Sequence, residues 1–105
     1  MTSMKDRQDG FERKFAHDEE TRFKATARRN KLLGLWVAGE LGKTGDAAEA
    51  YAREVVKSDF EEAGDDDVFR KVRADLDAGG KKLTDQQIRQ RMDELLAEAI
   101  RQISA

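Results

Sequence analysis

Apolar residues recur every three or four positions in the last quarter of the chain, and this spacing predicts an amphipathic helix. The residues on that face are Ile88, Met92, Leu95, Leu96, Ala99, Ile100 and Ile103. Thr84 stands just before this face and Gln87 lies three residues later, so the pair predicts a capping box at the start of the helix. Gly79 and Gly80 predict a flexible break ahead of it.

The longest predicted helix runs from near Asp18 to near Leu41. Acidic residues at 18–20 place negative charge at its start, where the helix dipole favours it. Residues 32–38 are apolar nearly all round, which predicts that other helices surround this part. Gly42 suits the left-handed residue that follows a helix.

Two shorter helices are expected in the middle of the chain. The first should begin at Asp46, with Glu49 in a second capping box, and end at Ala63–Gly64. Its apolar residues are Tyr51, Ala52, Val55, Val56 and Phe60. The second should open at Asp65–Asp67 and carries Val68, Phe69, Val72 and Leu76. Four amphipathic helices with short connections and no strand pattern predict an all-α fold, a four-helix bundle over residues 18–105.

Residues 1–17 differ from the rest because they are polar and carry few large apolar groups. Met4, Phe11 and Phe15 lie seven and four residues apart, so a helix would bring them to one side. Three anchors cannot offset the ordering entropy of the whole segment. We therefore expect a mobile N-terminal segment that becomes helical when bound, and a tail without function is the alternative.

Composition limits the functions open to this chain. It has 105 residues, of which 38% are apolar and 40% charged, so the core of this single domain should be modest. There is no cysteine, which excludes disulfides and thiolate metal sites. A net charge of −2 gives no general attraction to nucleic acid. Neither a bilayer-spanning apolar run nor a secretory signal is visible, which predicts a cytoplasmic protein.

The sequence Gly42-Lys43-Thr44 is similar to the end of a phosphate-binding loop. That loop needs a glycine five positions earlier, where Val37 stands, and a preceding strand rather than a helix. We therefore reject a nucleotide-hydrolysing loop. An anion held at the start of the second helix near Lys43 stays open, as does an ordinary turn between helices.

The other charged residues are expected to be ordinary surface groups. His17 is the single histidine and lacks further metal ligands nearby. The acidic run at 59–67 does not have the spacing of a calcium loop, so we expect helix-start charge and a solvated surface. The basic residues Arg22, Lys24, Arg28, Arg29 and Lys31 are expected on an outer face paired with that acidic run. Binding of nucleic acid phosphates by this face is the alternative.

No serine triad, catalytic carboxylate pair or dinucleotide-binding loop is visible, so we expect a binding protein and not an enzyme. Several motifs together resemble one known family. They are Phe15-Ala16-His17-Asp18, Phe23-Lys24, Ala27-Arg28-Arg29-Asn30, Leu32-Leu33-Gly34-Leu35-Trp36, Leu41-Gly42-Lys43-Thr44-Gly45-Asp46, Val55-Val56, Ser58-Asp59-Phe60 and Asp67-Val68-Phe69-Arg70-Lys71. In order and spacing they resemble the zeta-type inhibitor subunit of the alpha-proteobacterial ATP synthase, over residues 15 to about 76.

The resemblance implies a four-helix bundle whose N-terminal segment, residues 1–17, enters the catalytic head of the ATP synthase. There it would wedge between catalytic subunits and block rotation in the direction of ATP hydrolysis. The protein would then lie in the cytoplasm, peripheral to the membrane-bound enzyme. The family also binds ADP or ATP, which would act as a regulatory ligand and not as a required cofactor.

The resemblance and the residue types together indicate which side chains would act. We call the N-terminal segment, residues 1–17, the arm. Its apolar and basic residues should contact the partner, and these are Met4, Arg7, Phe11, Lys14 and Phe15. For a nucleotide phosphate we expect Lys43 with Thr44, and Arg28 or Arg29. The rival functions are a nucleotide-binding or a nucleic-acid-binding helical protein without an ATP synthase partner.

Overall fold

A computed structural model describes residues 19–59 and 65–104 of the chain. Four helices make up nearly all of these ranges, with no strand: α1 is Glu19–Glu40, α2 is Gly45–Ser58, α3 is Asp66–Ala78 and α4 is Asp85–Ser104. The prediction of an all-α fold with four helices is therefore confirmed. The predicted mobile segment, residues 1–17, lies outside the described residues.

Helix α1 is the centre of the bundle. It packs most extensively against α2 and α4 and also contacts α3. Residues 32–38 lie in this centre as predicted, since Leu33, Val37 and Ala38 are fully buried while Trp36 is half-buried. The other helices complete the core with Tyr51, Val55, Val68, Val72, Leu76, Ile88 and Met92.

Helices α1 and α2 lie very close to each other at Gly34. A Cβ atom at Gly34 would lie 2.6 Å from the Cα of Ala52 and 3.3 Å from the Cβ of Val55. Real Cβ atoms essentially never come so close to a backbone atom. The absence of a side chain at position 34 therefore sets the distance between the two helices.

The turn between α1 and α2 confirms one sequence prediction and corrects another. Gly42 has φ +76°, and the N–H of Lys43 donates to the carbonyl of Ala38 at 2.8 Å, as expected at the end of a helix. Helix α2 begins at Gly45 with Thr44 as its N-cap, so the predicted cap at Asp46 is wrong. Asp46 lies inside the first turn, where its negative charge interacts favourably with the helix dipole.

Helix α2 also ends earlier than predicted. Its last residue is Ser58, not Ala63. The Ser58 hydroxyl donates to the carbonyl of Val55 at 2.7 Å, a local bond by which serine competes with the backbone ladder. Residues 60–64 lie outside the described residues.

The predicted capping box at the start of α4 is confirmed. The N–H of Thr84 donates to Gln87 Oε1 at 2.8 Å, and the N–H of Gln87 donates to Thr84 Oγ1 at 3.0 Å. Two backbone donors of the first turn are therefore satisfied by side chains.

Replacement of Thr84 by alanine is expected to lower the free energy of unfolding by about 1 kcal/mol, because the N–H of Gln87 then loses its side-chain acceptor. Thermal unfolding followed by circular dichroism measures the change. Thr84→Ser keeps the hydroxyl and is expected to stay within a few tenths of a kcal/mol of the parent. Equal losses in the two variants would show that the threonine methyl group matters and the cap does not.

Candidate functional site

The five residues predicted to form the partner-binding arm, Met4, Arg7, Phe11, Lys14 and Phe15, lie outside the described residues. Their role stays a prediction. The first described helix begins at Glu19, and Phe23 in its second turn has 61% of its surface exposed. It is the one large apolar side chain that is so exposed in the ranges 19–59 and 65–104.

The residues predicted to bind a nucleotide fall into two separate places. Lys43 and Thr44 are exposed in the turn between α1 and α2. Arg28 is exposed on α1 and donates to Oε1 of Gln102 on α4 at 2.8 Å. Arg28 and Arg29 precede Lys43 by about four turns, which is roughly 20 Å along the helix. A single phosphate cannot contact both places.

Arg29 is not on the outer face, which corrects the prediction made for it. It is 2% exposed, and its Nη2 pairs with Oδ1 of Asp65 at 2.8 Å. The pairing with the acidic run was therefore predicted, but the burial was not. The signal for burial is the spacing, since Arg29 lies four and eight residues before Leu33 and Val37 and shares their face of α1.

A small polar network surrounds this buried guanidinium. Nε of Arg29 donates to Oδ1 of Asn30 at 2.7 Å, and Asn30 is fully buried. The Nδ2 of Asn30 has no hydrogen-bond partner among the described residues. Asp67 is only 5% exposed and its Oδ1 accepts from the N–H of Val68 at 2.9 Å. The prediction of a solvated acidic surface is therefore wrong for Asp67, because α3 turns this side chain inward.

Asp59, just after the end of α2, interacts electrostatically with the same network. Burial raises the pKa of its carboxyl, and the negative charge of Asp67 raises it further. The polar amide of Asn30, although its Nδ2 makes no close hydrogen bond to a described residue, and the positive charge of Arg29 lower that pKa and partly offset the rise, while Asp65 adds to it. One buried cation therefore balances several carboxylates where α1 meets the end of α2 and the start of α3.

A second polar cluster joins α2 to α3. The hydroxyl of Tyr51 donates to Oδ2 of Asp75 at 2.7 Å, and Nζ of Lys71 donates to the same oxygen at 3.1 Å and to Glu54 at 3.3 Å. Burial raises the pKa of the Tyr51 phenol, and the hydrogen bond and charge of Asp75 raise it further. Tyr51 therefore stays protonated and acts as a hydrogen-bond donor that holds two helices together.

Sequence reasoning missed a basic groove between α1 and α2. The groove has a volume of about 340 Å³ and is lined by Lys31, Glu49, Ala52, Arg53, Val56 and Lys57. Sequence analysis grouped Lys31 with the other cations of α1. Its neighbours in the groove come from a helix that begins 14 residues later in the chain, and only the packing of the two helices brings them together.

Within residues 19–59 and 65–104, no three His, Cys, Asp or Glu side chains are placed to hold a metal ion together. None of the helices in these ranges has the length and apolar character needed to span a bilayer.

The chain is similar to proteins of one known family. The sequence profile described as ATPase inhibitor subunit zeta matches residues 1–102. A solved protein structure, determined by solution NMR, is 55% identical to this chain and has a TM-score of 0.71. The similarity covers 79% of this chain and 94% of that one. No curated protein matches the chain.

Proposed function

The chain belongs to the family of ATPase inhibitor subunit zeta, and we propose that it stops ATP hydrolysis by inserting its N-terminal segment into the catalytic head of the F-type ATP synthase. Members of an inhibitor family regulate an enzyme and do not catalyse its reaction. The partner is therefore an ATP synthase, and the finer question is which part of this chain contacts it.

One observation carries the proposal. The family match spans residues 1–102, so it includes the polar segment before α1 as well as the four helices. The bundle already buries the apolar faces of its helices against one another. Met4, Phe11 and Phe15 precede the bundle at helical spacing, and such anchors suit a segment that folds into a groove on its partner.

The roles of the arm residues follow from their chemistry. Phe11 and Phe15 would fill apolar pockets between catalytic subunits. Met4 would lie on the same side of the helix, two turns before Phe11. Arg7 and Lys14 would pair with acidic groups on the enzyme. A helix held in this place acts as a wedge, which blocks rotation in the hydrolysis direction and conserves ATP.

Removal of residues 1–14 is expected to abolish the inhibition. ATP hydrolysis by the cognate ATP synthase head measures this, with the full chain and the truncated chain compared at equal concentration. Phe11→Ala/Phe15→Ala is the finer variant and should weaken inhibition strongly while the fold is unchanged. Equal inhibition by the full and truncated chains would move the contact to the bundle, and no inhibition by a folded full chain would refute the proposal.

We also propose that ADP or ATP acts as a regulatory ligand at the turn between α1 and α2. The support is local: Thr44 makes no side-chain capping bond to α2, and the exposed Lys43 has no ion-pair partner among the described residues. Backbone N–H groups at the start of α2 are thus left for a phosphate, and Lys43 adds positive charge. Arg28 and Arg29 are too distant to share in this contact.

An NMR titration with ADP tests the nucleotide proposal. Backbone shifts should concentrate at residues 43–46 and be lost in Lys43→Ala. Lys81→Ala is the matched control, since Lys81 is likewise exposed and unpaired within the described ranges. Shifts that persist unchanged in Lys43→Ala would place the nucleotide elsewhere.

A further inference from the structure

The groove between α1 and α2 gathers cations that have no partner within the described part of the chain. Lys31 comes from α1, and Arg53 and Lys57 come from successive turns of α2. None of the three forms an ion pair or a side-chain hydrogen bond with another described residue. By contrast, Arg29 and Lys71 each pair with a carboxylate. The groove cations therefore differ from Arg29 and Lys71, whose charges are balanced by carboxylates of the bundle itself.

The floor of the groove is apolar. Ala52 is buried and Val56 is half-buried, so the cations stand around a surface that can take a small apolar side chain. Glu49, one turn before Arg53, is the single acid in the lining. The lining therefore carries three positive charges and one negative charge around an apolar strip.

We propose that this groove docks an acidic, amphipathic segment of the ATPase head, as a second contact beside the arm. This inference rests on the proposed function, because it takes the ATPase as the partner. Carboxylates of the segment would pair with Lys31, Arg53 and Lys57, and an apolar side chain would pack on Ala52 and Val56.

The spacing of the cations favours a segment over a small anion. Arg53 and Lys57 are four residues apart, which separates them by about 6 Å along α2. Acidic residues one turn apart on a partner helix have the same separation. A phosphate ion needs donors that converge on one point, whereas these cations line a groove whose floor is apolar. Charges at such a rim speed association and set the orientation of the partner.

Charge reversal tests the proposal. Arg53→Glu/Lys57→Glu is compared with Lys81→Glu/Lys82→Glu, which changes the net charge equally at exposed lysines between α3 and α4 that form no ion pair with another described residue. The groove variant is expected to raise the concentration for half-maximal inhibition by about tenfold or more, mainly through slower association. The control variant should stay within about twofold of the parent. Arg53→Gln/Lys57→Gln should give an intermediate loss, which guards against an effect of new charge on folding.

The outcomes separate this proposal from the function it rests on. Direct binding of each variant to the enzyme head is measured beside inhibition. If the parent chain neither binds nor inhibits, both proposals fail. If the parent inhibits and the groove variant binds and inhibits like its control, only the groove proposal fails. Inorganic phosphate is also titrated into the protein, followed by the backbone NMR shifts. If the shifts of residues 53 and 57 saturate with phosphate, and the groove variant binds the head like the parent, the groove is a small-anion site and the docking proposal is overturned.

Discussion

Replacement of Gly34 by alanine is expected to lower the melting temperature by about 10 °C or more. The new Cβ would lie 2.6 Å from the backbone Cα of Ala52, and a backbone atom cannot rotate away as a side chain can. Helices α1 and α2 must move apart, which loosens the contacts of Leu33 and Val55 in the core. Overpacking of this kind costs about 2–3 kcal/mol, and in a domain of this size each kcal/mol shifts the melting temperature by roughly 4–8 °C.

Gly39→Ala is the matched control for this prediction. Gly39 lies in the same helix, and a Cβ built there meets nothing within 4 Å. Its replacement should raise the free energy of unfolding by up to about 1 kcal/mol, because alanine favours the helix. Opposite signs for two identical substitutions on one helix would identify close packing as the cause. A loss at Gly34 no larger than the change at Gly39 would show that the two helices have room to spare.

The same comparison explains what the sequence could predict. Features fixed by local rules were predicted correctly: the number of helices, the capping box of Thr84 and Gln87, and the left-handed Gly42. The number of helices follows from the period of apolar residues along each one, and the two helix-end features depend on residues within about one turn of each other. Gly34 gave no such signal, because a glycine inside an apolar helix has meaning only once the helix opposite is known.

Errors in the prediction also have a common physical origin. Arg29 and Asp67 were expected in solvent because charged side chains usually are, and both are buried where α1 and α3 meet. The groove was missed since Lys31 joins Arg53 and Lys57 only through tertiary packing. Charges that satisfy one another across helices are invisible to patterns within one helix. The placement of the arm residues is a different case, because they lie outside the described residues.

Replacement of Arg29 by methionine is expected to cost about 3 kcal/mol of stability at neutral pH. The substitution fills most of the space but removes the donor to Oδ1 of the fully buried Asn30. A buried acceptor that loses its partner costs about 1–3 kcal/mol. The carboxylates of Asp59 and Asp65 also lose the cation that balances them, and breaking such a pair adds to the loss.

The neighbouring Arg28→Met is the control. Arg28 is exposed, and among the described residues its side chain makes one hydrogen bond, to Gln102. Surface changes of this kind stay within about 0.5 kcal/mol. Chemical denaturation at pH 7 measures both variants. A similar small loss in both would mean that the buried network adds nothing to stability.

The pH dependence of Arg29→Met separates charge from packing. The pKa of Asp59 is already raised in the folded protein, and the loss of Arg29 should raise it further. A carboxyl whose folded pKa is raised destabilises the fold while it is charged, so the penalty is fully present above the folded pKa. The penalty decreases as the pH falls through that value and vanishes below the unfolded pKa of about 4.

The stability gap between Arg29→Met and the parent should therefore be largest at pH 7 and shrink toward pH 4. A gap that stays constant over this range would assign the loss to packing and to Asn30 alone, and the balance of charge at this junction would then have no part in holding α1, α2 and α3 together.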